Sequence, residues 1–597
     1  MNLSPEEKQI GKENFNEAVG TTRRDFLKGS VAAAVAAGSM TGLGAYYFKY
    51  SKVNDPLRVG VIGTGDEGGV LIGAINPEYI DVKAIADIRP YSIHRAFHGD
   101  WYSPGAHEAR RGLMEVYDWK SEDEAKKHVK VFEGEGGDYK SLIDNASSLG
   151  IEAVIIALPL HLHDAAANYA MRKGLHVLTE KLMAHSVVQC KEMARVAAET
   201  GKILATGHQR HYSILYDNAV DQLRRGLIGD IHHIRAQWHR ANLPGNDSWQ
   251  PPLPENKDEY SLRDFELGLK ALEKDPVARA ALAKAHPLYS QLRSWKGALK
   301  NAPAKERDMW AKRVAQTEAQ LRDIEVDAEA HGYITKNLPI GRTRPAIEEL
   351  IRWRLWERTG GGLMAELGSH QLDAASIFIT AQREDGRKVK PLSVNAVGGR
   401  HIFPADRECE DHVYCTFEFP GRGYFKGDDT HEVADPNKKI VVTYSSINGN
   451  GFGGWGEVVF GTKGTLILDQ EQDAMLFKGS ATTTRIEVKQ TSGGPAMDTY
   501  ETGGGAAVAQ AATQENVSRG YTEEIEHWAW CIRNPDPANQ PRCTPAVAMA
   551  DAVIALTSNI AIAKNQRIEF KPEWFDVESD ETPEGATPRP TSELGKA

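Results

Sequence analysis

The sequence predicts an α/β protein in which a doubly wound parallel sheet is followed by an α+β domain with a largely antiparallel sheet and a helical insertion. Residues 57–206 alternate short apolar strands with amphipathic helices, a pattern that places helices on both faces of a parallel sheet. From residue 207 onward the strands alternate in polarity instead, which is typical of antiparallel sheets. The 597 residues exceed one compact core, so two domains with additions are expected.

The first predicted strand leads through a glycine-rich turn into a helix. The stretch Leu57–Ile75 contains Gly63-Thr64-Gly65-Asp66-Glu67-Gly68, which has the G-x-G-x-x-G spacing. In such a loop the first glycine permits a tight turn, the second lets the backbone approach a pyrophosphate, and the third lets the helix lie against its strand. The amides at the helix N-terminus would face the phosphates. This pattern predicts a dinucleotide-binding Rossmann domain.

A carboxylate follows the second predicted strand, Val82–Ala86. Asp87 stands nineteen residues after Gly68, where an acidic side chain can accept hydrogen bonds from ribose hydroxyls. Asp87 therefore favours NAD. Arg89, two residues later, could instead meet the 2′-phosphate of NADP, so the sequence leaves NADP open.

Polar residues follow two further strands of the predicted parallel sheet. Ligands of such sheets bind at the carboxyl ends of the strands. The residues at these ends are Leu158, Pro159 and His163 after the strand Ala153–Ala157, and Glu180 and Lys181 after the strand His176–Thr179. These residues are candidates for contacts with the nucleotide.

The predicted second domain covers residues 207–575. Strands are expected at Ile231–His239, Val413–Phe419 and Lys439–Ser445, and Val458–Phe460 and Thr465–Leu468 flank a turn as a hairpin. Residues 251–345 are rich in Ala, Lys, Glu and Arg and are expected to form a helical insertion within this domain. A lid, an oligomer contact and a partner site are all open roles for it.

A glycine run at Gly360–Gly362 precedes three polar residues at helical spacing. Glu366, His370 and Asp373 would share one face of a helix. A carboxylate one turn from an imidazole can fix its tautomer and keep its free nitrogen basic. The triplet is therefore either a catalytic arrangement or a buried polar network.

The N-terminal residues 1–56 are expected to be a targeting signal and linker, outside the folded domains. Arg23 and Arg24 precede Phe26-Leu27-Lys28 and an apolar run, Val31–Ala45, which resembles a bacterial twin-arginine export signal. This predicts export of an already folded protein to the periplasm through the twin-arginine machinery. Without a clear cleavage site, an uncleaved anchor on the outer face of the inner membrane stays open.

Composition bounds the remaining possibilities. The net charge of −11 argues against nucleic acid as the main partner. The histidines lack matching carboxylate or cysteine spacing, so no metal site is expected. Of the five cysteines, Cys531 and Cys543 could pair. Residues 576–597 are acidic and are expected to be a disordered tail, and Gly503–Gly505 are expected to lie in a mobile loop.

The order of these motifs resembles the Gfo/Idh/MocA family, named after glucose-fructose oxidoreductase and inositol dehydrogenase. The resemblance covers roughly Leu57 to Leu468, without the insertion. The matching stretches are Gly63–Gly68, Ala86-Asp87, Pro159 with His163, Glu180-Lys181, Gly207–Tyr212, Gly226–Gly229, the run 360–373 and Phe460–Thr465.

The resemblance implies an oxidoreductase that moves a hydride between nicotinamide and a CH–OH group of a sugar or polyol. It implies that Lys181 lies near the nicotinamide and the reacting hydroxyl, that His370 is the general acid/base, and that Glu366 is its acidic partner. Gln209 would contact the cofactor, which export suggests is tightly bound. Further substrate candidates are Arg210, Tyr212, Trp238, His239, Trp356 and Asp373.

Three departures from the family pattern separate this chain from better-known members. Leu182 replaces the usual proline, Glu366 an aspartate and Gln209 an asparagine. Two other functions stay open: a redox-neutral NAD-dependent glycoside hydrolase or epimerase with a retained cofactor, and a non-catalytic carbohydrate-binding protein. A homo-oligomer also stays open.

Overall fold

The computed structural model describes residues 3–26, 44–45, 47–243, 248–427, 431–491, 494–499 and 519–596. The chain divides into two compact units. We call Val53–Glu180, Ser248–Thr359 and Gly595–Ala597 the parallel-sheet unit. We call Met1–Lys52, Lys181–Asp247 and Gly360–Leu594 the mixed-sheet unit.

The predicted parallel sheet is confirmed and has six strands in the order β3-β2-β1-β4-β5-β6. Strand β1 pairs in parallel with both β2 and β4, and its interior positions are buried, as apolar strands covered on both faces require. The strands are β1 Leu57–Ile62, β2 Ile80–Ala86, β3 Lys130–Phe132, β4 Ala153–Ile156, β5 His176–Glu180 and β6 Leu204–Gly207.

Helices connect these strands, as the sequence pattern predicts. The helices between residues 57 and 200 are α2 Asp66–Ala74, α3 Pro90–His98, α4 Pro104–Ala109, α5 Leu113–Val116, α6 Glu122–His128, α7 Tyr139–Asn145, α8 His163–Arg172 and α9 Val187–Thr200. Ser186 caps α9 by accepting a hydrogen bond from the Gln189 amide, which satisfies one of the unpaired donors of the first turn.

The helical insertion exists, but it belongs to the parallel-sheet unit and not to the second domain. Its helix Arg307–Leu321 packs against α3, where the Gln316 amide accepts from the Trp101 N–H at 2.6 Å and donates to Asp100 at 2.8 Å. Contacts this distant in sequence leave no local signal. The insertion comprises α11 Leu262–Ala271, α12 Pro276–Ala285, α13 Pro287–Asn301, α14 Arg307–Leu321, the strands β8 Lys336–Asn337 and β9 Thr343–Arg344, and α15 Ala346–Ile351.

The mixed-sheet unit contains an eight-stranded sheet in the order β15-β14-β13-β7-β12-β11-β10-β18. The pair β7–β12 is parallel and the other pairs are antiparallel, so the predicted largely antiparallel sheet is confirmed. The predicted hairpin is the pair β13–β14. The strands are β7 Ile231–Ala241, β10 Ser393–Gly399, β11 His412–Pro420, β12 Lys439–Gly449, β13 Trp455–Gly461, β14 Gly464–Asp469, β15 Asp473–Lys478 and β18 Ile568–Glu569.

The other elements of this unit cover the sheet or extend it. Strands β16 Ile486–Thr491 and β17 Gly494–Thr499 form a separate hairpin. The helices are α1 Pro5–Phe26, α10 Ile214–Arg224, α16 Glu357–Gly360 at the unit boundary, α17 Ser369–Thr380, α18 Tyr521–Arg533 and α19 Pro545–Lys564. Among the described residues, α19 alone is long and apolar enough to cross a membrane, and 67% of its most apolar window is buried inside the protein.

The N-terminal segment contributes to the fold, in contrast to the expectation for a signal and linker. Helix α1 packs on β15, with Phe15 and Ala18 buried. The Asn14 amide donates to the carbonyls of Leu476 and Thr484 and accepts from the Ile486 N–H. Of the predicted export signal, Arg23 and Arg24 lie at the end of α1 and residues 27–43 are outside the described residues.

The C-terminal segment is ordered, whereas its acidic composition predicts disorder. The buried Lys191 ammonium donates to three of its carbonyls, those of Asp576, Ser579 and Glu581, at 2.7–2.8 Å, and to the carbonyl of Glu573 just before it at 2.9 Å. Arg589 pairs with Glu192 at 2.7 Å. Such long-range pairs are invisible in the tail's own sequence, which explains the wrong expectation.

Two smaller expectations have definite outcomes. All five cysteines are buried and free, so Cys531 and Cys543 are not bonded to each other. The glycine run Gly503–Gly505 lies outside the described residues.

Candidate functional site

The glycine loop between β1 and α2 has the geometry that the sequence predicts. Gly63 adopts a φ of +82°, and a Cβ there would overlap the carbonyl oxygen of Ala157. A Cβ on Gly68 would overlap the carbonyl oxygen of Gly63. By contrast, no atom lies within 4 Å of a Cβ built on Gly65. The loop therefore leaves open space before the N-terminus of α2, which fits a pyrophosphate.

Asp87 is held by the same loop. One carboxylate oxygen accepts from the Thr64 N–H at 2.8 Å, and the other accepts from the Arg89 N–H at 2.9 Å. Burial raises the pKa of Asp87, although these two amides favour the charged form. The carboxylate is thus oriented beside the glycine loop, where it fits a ribose. The Arg89 side chain forms an ion pair with Asp323.

The other predicted nucleotide contacts are distributed between the two units. His163 is buried at the start of α8 and contacts the Leu158 carbonyl at 2.9 Å, so it fixes the turn that contains Pro159. Glu180 ends β5 and is buried. Gln209 belongs to the mixed-sheet unit, where its buried side-chain amide has no hydrogen-bonding partner among the described residues. These assignments remain predictions.

In the mixed-sheet unit Lys181 and Glu366 come together. The Lys181 ammonium donates to the Glu366 carbonyl oxygen at 2.7 Å and lies 3.7 Å from its carboxylate. Glu366 sits in a π-helical turn, Met364–Gly368, which precedes α17. Such turns are frequent at functional sites. The turn was not predicted, because local residue spacing does not distinguish it from an α-helix.

His370, in the first turn of α17, is 8% exposed and lies with its ring 5.2 Å from the ring of Trp238. Burial and the positive charges of Lys181 and Arg210 hold its pKa well below 6.5. The imidazole is therefore neutral at pH 7 and can accept a proton.

Arg210, a predicted substrate contact, is buried in a charge network instead. Its guanidinium donates to Glu471 at 2.9 Å, to the His370 carbonyl at 2.5 Å, and to the side chain of Gln371. These hydrogen bonds tie Arg210 to the start of α17, and its assignment as a substrate contact remains a prediction.

Asp373, another predicted substrate contact, belongs to a second buried network. It contacts His211 at 3.0 Å and Lys388 at 2.8 Å, and Lys388 also contacts Asp551 at 2.5 Å. Ligand atoms of His208, Asp373 and Asp551 lie within 4.8 Å of one another. Sequence reasoning missed this cluster because its members are far apart in the chain. The Lys388 ammonium supplies the positive charge that the carboxylates require.

The remaining substrate candidates differ in accessibility. Tyr212 is buried, with its hydroxyl between His527 and the Arg542 N–H. Trp356 is buried beneath Arg344 in the parallel-sheet unit. Both side chains are thus almost fully buried, and their assignment as substrate contacts remains a prediction. The Trp238 ring lies beside the ring of His370. His239 is half-buried and contacts the Ser445 hydroxyl at 3.0 Å.

Comparisons with known proteins agree with the assignment of the Gly63–Gly68 loop to nucleotide binding. Residues 57–208 match the family model described as the oxidoreductase family with an NAD-binding Rossmann fold, Gfo/Idh/MocA. A Glycosyl hydrolase family 109 protein of Solibacter usitatus is 23% identical over 37% of this chain and 46% of its own length. The 1-carboxy-3-chloro-3,4-dihydroxycyclohexa-1,5-diene dehydrogenase of Comamonas testosteroni is 25% identical over 30% of this chain and 37% of its own length. The chain thus matches less than half the length of either relative.

A protein of solved structure also aligns with most of the chain at low identity. The aldose-aldose oxidoreductase of Caulobacter crescentus, complexed with glycerol, is 13% identical, with a TM-score of 0.46 over 86% of this chain and 100% of its own.

Proposed function

We propose that the protein is an NAD(P)-dependent oxidoreductase of the Gfo/Idh/MocA family that acts on a CH–OH group of a sugar, polyol or related compound. The observation that carries the proposal is the cluster of Lys181, Glu366 and the neutral, buried His370, in a chain whose residues 57–208 match an NAD-binding oxidoreductase family. The dehydrogenase relative, whose name describes a dihydroxylated ring as its substrate, supports the CH–OH donor.

The nucleotide would be held by the residues of the parallel-sheet unit. The amides at the N-terminus of α2 would bind the pyrophosphate, and Asp87 would accept from ribose hydroxyls. When bound, NAD supplies the hydride acceptor, or the donor in the reverse direction.

The chain's own residues would position the substrate and move its proton. His370 would take the hydroxyl proton as general base, which its lowered pKa permits because the imidazole is already neutral. The Lys181 ammonium, 3.7 Å from the Glu366 carboxylate, would orient the hydroxyl by a charge-assisted hydrogen bond. Trp238 would shield the imidazole from water on one side.

The test combines nucleotide binding with oxidation of a panel of sugars and polyols, followed as NADH formation. His370→Asn is expected to lose about 10²–10⁴-fold in kcat while NAD binding is retained. His232→Asn changes an exposed histidine on β7 and is the matched control. Protein that binds neither NAD nor NADP would contradict the proposal and leave the carbohydrate-binding function.

A redox-neutral glycoside hydrolase that recycles its NAD is the second candidate, because one relative is a Glycosyl hydrolase family 109 protein. This enzyme would cleave an aryl glycoside without accumulating NADH, whereas a dehydrogenase would form NADH in proportion to substrate consumed. Measuring both products in one reaction separates the two functions.

Export by the twin-arginine route is part of the proposal. Its support is the Arg23-Arg24 motif and the apolar run that follows it. Cell fractionation of the wild type and of the Arg23→Lys, Arg24→Lys variant tests it. The wild type is expected in the periplasmic or membrane fraction and the variant in the cytoplasm. An unchanged distribution would contradict export.

A further inference from the structure

The insertion contacts the segment that directly follows β2, beside Asp87, the residue assigned to the ribose. Asp323, in the 3₁₀ turn Arg322–Glu325 that follows α14, reaches the N-terminus of α3. One of its oxygens accepts from two nitrogens of Arg89, at 2.9 and 2.7 Å, and the other accepts from the Tyr91 N–H at 3.0 Å. Both oxygens of the Asp323 carboxylate therefore accept hydrogen bonds from this segment.

The donors that bind Asp323 constitute an anion-binding site. Arg89 precedes the first residue of α3, and Tyr91 is the second residue of this nine-residue helix. Amides at a helix N-terminus together with a guanidinium bind phosphate well. The site adjoins Asp87, because the Arg89 N–H donates to the Asp87 carboxylate. A 2′-phosphate on a ribose held by Asp87 would need this cation.

The Asp323 carboxylate occupies that anion site in the structure. Its side chain is completely buried, and Arg89 is only 16% exposed. The neighbouring Arg95 is committed in the same way, to Asp66 at 2.7 Å and to Asp100 at 3.1 Å. Neither arginine is thus free to neutralise an additional phosphate.

Apolar packing fixes the segment that contains Asp323. Tyr333, Ala346 and Leu350 of the insertion form a buried cluster, against which Ile88 packs directly after Asp87. The Tyr333 ring also lies 5.7 Å from the ring of His161, beyond the end of β4. The insertion is therefore anchored at the carboxyl ends of two parallel strands, so Asp323 does not depend on its ion pair alone for its position.

We propose that Asp323 is a specificity-determining residue: its carboxylate takes the place of a 2′-phosphate at Arg89 and the α3 N-terminus, so that the protein binds NAD in preference to NADP. This inference rests on the proposed nucleotide-binding function. It assigns the insertion a role that the sequence left open, and it resolves the Asp87 and Arg89 alternative in favour of NAD.

The first test needs no variant. Nucleotide released from denatured protein is identified, and NAD and NADP are then titrated separately into nucleotide-free protein by calorimetry. NAD is expected to bind at least about tenfold more tightly. Equal or tighter binding of NADP would overturn the inference without contradicting the oxidoreductase proposal, whereas binding of neither nucleotide would contradict the proposed function itself.

The second test removes the internal anion. Asp323→Asn keeps the shape of the side chain but frees Arg89, so the ratio of the NADP to the NAD dissociation constant is expected to fall about tenfold. Adding Arg89→Gln to this variant is expected to abolish the gain. Asp308→Asn, which changes an exposed ion pair on α14, is the matched control.

Folding of each variant is checked by circular dichroism and thermal unfolding. An unchanged ratio in folded Asp323→Asn, or a gain that survives Arg89→Gln, would overturn the inference. If Asp323→Asn does not fold, Asp323→Ser, which also removes the carboxylate, is measured in its place and is expected to give the same fall in the ratio.

Discussion

At the scale of single residues, the candidate site depends on how charge is distributed around His370. The imidazole contacts the Trp238 ring, while Lys181 and Arg210 place positive charge nearby. Both effects favour the neutral imidazole, since burial and like charge each disfavour a protonated histidine. Arg210 in turn is compensated by Glu471. Lys181 and Arg210 therefore help to keep His370 unprotonated.

The acid limb of the kcat/KM profile follows from this arrangement. In the wild type it is expected well below pH 6.5, because the pKa of His370 is lowered. Lys181→Met removes one nearby positive charge and is expected to shift the limb to higher pH, whereas Lys181→Arg keeps the charge and leaves the limb in place. A limb at the same pH in both variants would contradict this electrostatic account.

Glu457 is expected to make stability depend on pH. Burial raises its pKa from 4.5 to about 7, although Arg210 opposes this. Between pH 4.5 and 7 Glu457 is therefore protonated in the native state and ionised in the unfolded state. The free energy of unfolding falls as the pH rises through this window. The full loss is about 3 kcal/mol.

Thermal unfolding of the wild type and of Glu457→Gln at pH 5 and pH 8 measures this contribution. The glutamine keeps an acceptor for Tyr216, which donates to Glu457 at 2.9 Å. The variant is expected to lose less stability than the wild type between the two pH values. An identical loss in both proteins would show that Glu457 does not titrate in this range.

At the scale of elements, helix α1 is held on β15 by close packing as well as by Asn14. Gly11 faces the strand, where an added Cβ would overlap the Phe477 ring and lie 2.8 Å from the Cβ of Met475. Gly20, further along the same helix, has no atom within 4 Å of an added Cβ. Gly11 therefore permits the close contact between α1 and the sheet, whereas Gly20 takes no part in this contact.

Alanine substitution separates the two glycines. Gly11→Ala is expected to destabilise the protein by about 1–3 kcal/mol, because overpacking outweighs the gain in helix propensity. Gly20→Ala is expected to stabilise α1 by about 0.5–1 kcal/mol. Thermal unfolding and proteolysis within α1 measure both effects. Equal effects of the two substitutions would contradict the docking of α1 on β15.

At the scale of the whole molecule, each compact unit is assembled from segments that are distant in sequence. The parallel-sheet unit recruits the insertion, and the mixed-sheet unit includes both Met1–Lys52 and most of the C-terminal segment. The C-terminal segment has little apolar burial of its own and depends on side chains of α9. Its order is thus a property of the whole unit.

Lys191→Met is expected to release this segment, because four carbonyls lose the ammonium that binds them. Limited proteolysis should then cleave within residues 576–594, with an expected loss of stability of about 2–4 kcal/mol. Lys571→Met breaks an exposed ion pair with Glu581 and is expected to have little effect. Equal cleavage of both variants would show that Lys191 does not hold the segment.

Sequence alone determined the features that depend on local pattern. The β–α alternation, the Gly63–Gly68 loop with Asp87, and the hairpin β13–β14 each follow from residues within a few turns or strands of one another. Steric demands at glycine and the periodicity of apolar residues act over short distances, so they can be recognised without the fold. Lys181 and Glu366 were identified through a motif resemblance, and their contact is seen in the structure.

Tertiary structure decided the features that depend on partners distant in the chain. It buried Arg210, Asp373 and Tyr212 in internal networks, attached the insertion to the parallel-sheet unit, and ordered both terminal segments. The pairing of Arg89 with Asp323 spans 234 residues. A charged side chain has the same local sequence whether it meets solvent, a ligand or an internal counter-ion. Only packing determines which of these it meets, because the cost of burying a charge is offset by a partner that the fold supplies.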